Sequence, residues 1–143
     1  MSEPRALVVG FDDSDGARAA LHAAIELARE LGDRLVIVFG YEPPGRAGEE
    51  HGAAVAAARE LGERVTRHAL ARAEVERVPA EVVLVEQRPV DALLSQARVR
   101  DARMIVIGSA REHPFKGALV GSTPHRLLHL ADRPVLAVPA GPI

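Results

Sequence analysis

An open, doubly wound α/β fold built on a five-stranded parallel sheet is expected from two observations. Short β-branched runs alternate with longer alanine-rich amphipathic stretches, and five such runs recur. The first run is 6–11 (ALVVGF), followed by a helix over 15–31 in which Ala20, Ala24, Leu27 and Leu31 share one face and Gly32 is the stop signal. Residues 34–39 (RLVIVF) form the second strand. The stretch 41–48 (YEPPGRAG) then carries Pro43, Pro44, Gly45 and Gly48 and reads as irregular. A second helix runs from about 50 to 74 with a solvated charged face, and Pro79 precedes a third strand at 81–86 (EVVLVE). Pro89 opens the third helix, whose buried stripe is Val90, Leu93, Leu94 and Ala97. The fourth strand is 104–108 (MIVIG). The last helix runs from Ser122 or Thr123 to about Leu130 and leads through Pro134 into a final strand at 135–138.

Composition narrows the function. A length of 143 residues suits one domain, and no apolar run is long enough to span a bilayer. The start, Met-Ser-Glu-Pro-Arg, resembles neither a secretory h-region nor a transit peptide, so a cytoplasmic location is expected. With no cysteine, thiolate catalysis, disulfides and cysteine-ligated zinc or iron–sulfur sites are excluded. A net charge of -2 and 3% aromatic residues leave nucleic-acid binding unsupported.

In open parallel sheets, ligands bind beyond the carboxyl ends of the strands where the strand order reverses. With a Rossmann-like order 3-2-1-4-5, helices covering both faces, that point lies between the first and fourth strands. Both end in unusual residues: Gly10-Phe11-Asp12-Asp13-Ser14 after the first, and Gly108-Ser109 running into the long segment 109–121 after the fourth. Gly108, Gly117 and Gly121, with Ser122 and Thr123 at the start of the last helix, can present free backbone N–H groups and a positive helix end to a phosphate. The same Gly-Ser-Thr is equally a turn and an N-cap. Asp12 and Asp13 either bind ribose hydroxyls or a divalent metal, or one of them, or Ser14, caps the first helix.

The segment MIVIGSAREHPFKGALVGSTPHRLLHLADRPVLAVP (104–139) resembles the C-terminal signature of the universal stress protein family, and Val8-Val9-Gly10-Phe11-Asp12-Asp13-Ser14 is similar to that family's first strand and turn. The nucleotide-binding branch carries Gly, two residues, Gly, nine residues, Gly, then Ser or Thr. Gly108, Gly121 and Ser122 match the first, third and final positions, and Arg111 stands at the second in place of glycine. A side chain there either obstructs the phosphates or offers them a charged fork, with Lys116 and His113 in the same segment. Gly40-Tyr41 is a second departure, where relatives carry an apolar residue beside adenine.

The resemblance implies an adenine-nucleotide binding module for ATP or ADP, with Mg2+ accompanying the phosphates, and at most slow hydrolysis. It implies Asp12 near the ribose, Gly40 beside the base, Gly108, Gly121 and Ser122 around the phosphates, and Ser109, Arg111 and Thr123 as further contacts. No catalytic residue and no metal ligand is assigned. It also implies a homodimer through Val135, Leu136 and Val138 on the last, edge strand. The alternative is a family member that binds no nucleotide and acts through dimerisation and protein contacts. A receiver-domain reading fails because the third strand ends in Glu86-Gln87 and the last in Pro139, without the acceptor aspartate and the lysine. His125 and His129 share a helix face at i, i+4 spacing, but no third ligand is identifiable, so the pair reads as a solvated face.

Overall fold

The structure, a computed structural model, describes residues 3–42, 49–109 and 122–140. The elements run β1 (Ala6–Gly10), α1 (Asp15–Leu31), β2 (Arg34–Gly40), α2 (Glu49–Val75), β3 (Ala80–Val85), α3 (Pro89–Val99), β4 (Met104–Ser109), α4 (Ser122–Leu130) and β5 (Val135–Pro139). The strands form one sheet in the order β3-β2-β1-β4-β5, and every pairing is parallel. The expected fold class is therefore the one observed.

Alternation along the central strands explains why their sequences read as continuous apolar runs. Leu7, Val9, Leu35, Ile37 and Val106 point into the layer shared with α1 and α2. Val8, Val36, Val38, Ile105 and Ile107 point the other way, toward α3 and α4. A period-2 backbone with helices on both faces buries every side chain of such a strand, and each fully buried Val, Leu or Ile contributes about 1.5–3 kcal/mol.

Two helices depart in detail from the expected stripes. In α1 the buried residues are Ala17, Ala20, Leu21, Ala24, Ile25 and Ala28, while Leu31 is 41% exposed. The helix ends there because Gly32 takes φ 71° and donates its amide to the Ala28 carbonyl, which turns the last residue off the sheet. In α3 the buried set is Val90, Ala92, Leu93 and Ala97, with Leu94 only partly buried. Pro89 starts that helix as expected, since its missing N–H removes no intrahelical bond.

At the amino ends of the strands one carboxylate ties three of them together. Asp33, which precedes β2, accepts from the Arg5 amide at 2.9 Å ahead of β1 and from the Arg103 guanidinium, ahead of β4, at 2.6 and 3.2 Å. Its side chain is fully buried and that of Arg103 is 25% exposed. Burial pushes the Asp33 carboxyl up, but the hydrogen bonds from Arg103 and the Arg5 amide outweigh it and hold the group below the usual aspartate range. This rim is closed by ionic and backbone contacts.

Candidate functional site

At the opposite rim, β1 and β4 end side by side, and the helices that follow them in sequence lie on opposite faces of the sheet, α1 on one and α4 on the other. Their divergence opens a crevice of about 200 Å³ with an apolar interior of Val38, Phe39, Leu93 and Ile107. Asp12, Ser14 and Thr123 supply its polar side chains, and Gly10, Gly40 and Gly108 bring backbone to its surface.

The turn after β1 resolves the capping question. Ser14 is the N-cap of α1, and its hydroxyl accepts the Ala17 amide at 3.2 Å. Asp12 shapes the turn by accepting the Ser14 amide at 3.0 Å, and it stays exposed at the crevice. Asp13 takes a left-handed φ of 65° and belongs elsewhere. Arg18 donates to its carboxylate at 3.1 Å and to its carbonyl at 2.7 Å, and Asp13 lines a separate groove between α1 and α2.

Gly108 and Gly40 each have a packing reason to lack a side chain. A Cβ on Gly108 would collide with the backbone of Gly16, standing 2.7 Å from its Cα, because the first turn of α1 lies directly against the end of β4. A Cβ on Gly40 would come to 2.9 Å from Ala92 Cβ, the Gln87 carbonyl and Pro89 Cα, where α3 begins. The two glycines thus let helices on opposite faces close in on the strand ends and narrow the crevice between them.

Four of the expected site residues, Asp12, Gly40, Gly108 and Thr123, therefore meet at one crevice. Ser109 closes β4 in register with Pro139 of β5 and is not among the residues lining the crevice. Arg111 and Gly121 lie outside the described residues, and of Ser122 the structure describes only its place as the first residue of α4. Sequence reasoning missed Gly16, Pro89 and Leu93. A glycine one residue into a helix was the available signal for Gly16, since it is a poor helix former there unless something approaches closely.

The model of the universal stress protein family matches residues 4–139, nearly the whole chain. The chain belongs to the universal stress protein family. A universal stress protein of Thermus aquaticus is 32% identical over 139 residues, which are 94% of this chain and 98% of that one. Among solved structures, a universal stress protein in complex with cAMP superposes with a TM-score of 0.72 at 27% identity, covering 98% of this chain and 100% of the other. The universal stress protein from Archaeoglobus fulgidus in complex with dAMP gives 0.69 at 26% identity, covering 96% and 99%. Among the described residues of this universal stress protein, no helix is long and apolar enough to cross a membrane.

Proposed function

We propose that this universal stress protein binds an adenine nucleotide in the crevice between β1 and β4. The observation that carries the reading is the crevice itself. An apolar slot of Val38, Phe39, Leu93 and Ile107 suits a planar base, while Asp12 and Thr123 offer polar groups to the sugar and phosphates. Relatives of 26% and 27% identity, solved with dAMP and cAMP, support the ligand class. Asp12 takes the ribose, Gly40 lies beside the base, and Gly108, Ser109, Gly121, Ser122 and Thr123 surround the phosphates, with Arg111 as a charged fork on the same anion. The activity is binding of ATP or ADP with Mg2+, with at most slow hydrolysis, in a cytoplasmic stress response carried by one domain.

Calorimetric titration of the nucleotide-stripped protein with ATP and Mg2+, and separately with AMP, tests this reading. Saturable binding is expected. Asp12→Ala should weaken it by about 10- to 100-fold, the value of a hydrogen bond to a charged group, and Arg111→Gly should weaken ATP more than AMP. No binding by the natural chain, with binding gained in Arg111→Gly, would mean that the arginine closes the site and would move the function to the protein's contact surfaces.

The same reading includes a two-fold homodimer through β5. Among the described residues this strand pairs with β4 alone and stands at the sheet's edge, and Leu136 is 37% exposed there, flanked by the partly buried Val135 and Val138. Light scattering should give twice the 15.3 kDa chain mass at micromolar concentration, and Leu136→Lys should return the chain mass. A natural protein that scatters as a single chain overturns the dimer.

A further inference from the structure

We infer that His125 and His129 form an exchangeable chelating site for a divalent transition-metal ion on the exposed face of α4. The helix spans Ser122–Leu130, and the fully buried side chain of Leu127 anchors it against the sheet. His125 and His129 fall one turn apart on the solvent side, their ring centroids 4.5 Å from each other and their planes at 80°. Neither imidazole has a hydrogen-bond or ion-pair partner among the described residues, so no contact competes for their nitrogens.

The separation lets both imidazoles reach one ion. An imidazole nitrogen binds a metal at about 2.0–2.1 Å, which places each ring centroid about 3.2 Å from the ion. Two rings in cis positions at a 90° angle then have centroids about 4.5 Å apart, whereas a tetrahedral angle requires about 5.2 Å. The observed 4.5 Å matches the right-angled arrangement. A right-angled pair of imidazoles is an arrangement that Cu2+ and Ni2+ accept, since tetragonal and octahedral ions take such ligands in cis positions. Both rings are exposed, and rotation about χ2 turns a nitrogen of each toward a common ion.

The surroundings also determine how the ion is held. His129 sits in the last turn of α4, where the partial negative charge of the helix end favours a cation. Among the described residues no cluster of three or more His, Cys, Asp or Glu forms, so the two imidazoles are the protein ligands assigned to the ion. A closed structural zinc site, by contrast, needs four protein ligands. The site lies on α4 outside the nucleotide crevice and does not depend on the nucleotide reading.

The test uses tag-free full-length protein titrated with Cu2+, and separately with Ni2+, by calorimetry and visible absorption. One ion per chain is expected, with the ligand-field band of nitrogen-bound copper. His125→Ala and His129→Ala should each weaken binding at least tenfold, because either change leaves a single ligand and removes the chelate. His22→Ala and His68→Ala should leave it unchanged. Both α4 residues are exposed, so far-ultraviolet circular dichroism should show the same fold in every variant. Absence of saturable binding, binding retained in both α4 variants, or an equal loss in the His22 and His68 variants overturns the assignment.

Discussion

Gly108→Ala is expected to destabilise the protein by about 3 kcal/mol and to lower its melting temperature by roughly 10 °C, a figure set by overpacking and the entropy of unfolding a chain of this size. The added methyl meets the backbone of Gly16, and no rotamer change can move a backbone aside. Relief requires α1 to lift from the end of β4, which widens the crevice and should also reduce nucleotide binding. The reciprocal change behaves differently. A Cβ on Gly16 lies 3.5 Å from Gly108 Cα and from the Ser109 carbonyl, which is ordinary contact, and alanine is the better helix former. Gly16→Ala should therefore stay within about 1 kcal/mol of the natural protein or exceed its stability. Urea melts of the two variants side by side check this. Equal losses would mean that the close approach of α1 to β4 is not what keeps position 108 a glycine.

Asp33→Ala should cost about 3 kcal/mol at neutral pH, because it leaves the Arg5 amide and the Arg103 guanidinium without their acceptor at the base of three strands. The dependence on pH follows from the lowered carboxyl. A group whose folded-state pKa lies below its unfolded value of about 3.9 contributes its full stability above that value and loses it as pH falls through the folded-state pKa. The natural protein should thus lose this part of its stability only below about pH 4, and the gap between it and Asp33→Ala should narrow over the same range. Denaturant midpoints at pH 7, 5, 4 and 3 measure it. A gap that stays constant across the series would show that Asp33 acts through packing and not through its charge.

The contrast between these two positions explains what the amino-acid sequence could and could not convey. Every helix and strand was legible because apolar periodicity is local: Gly32, Pro89 and Pro134 punctuate the elements, and strand limits differ from expectation by a residue or so, as at Ala80 in β3 and Gly40 in β2. The candidate site was half legible. Asp12, Gly40, Gly108 and Thr123 were identifiable by resemblance, and the crevice brings them together. The choice between Asp12, Asp13 and Ser14 as the cap was not, because all three residue types suit that role and only backbone geometry separates them. Gly16 was overlooked since its partner lies far along the chain, and Asp33 gave no signal because Arg103 is 70 positions away. Long-range pairs of this kind leave no periodic trace in the residues beside them.

The all-parallel sheet has a consequence for re-engineering the chain. Because the strands all run the same way, β1 starts at the Asp33 rim and β5 finishes at the rim that bears the crevice, two strand positions across. A rise of about 3.3 Å per residue along a five-residue strand, with about 4.8 Å between neighbouring strands, sets these two points roughly 20 Å apart. Joining them in a circular permutant therefore calls for at least about six extended residues that run back along the sheet.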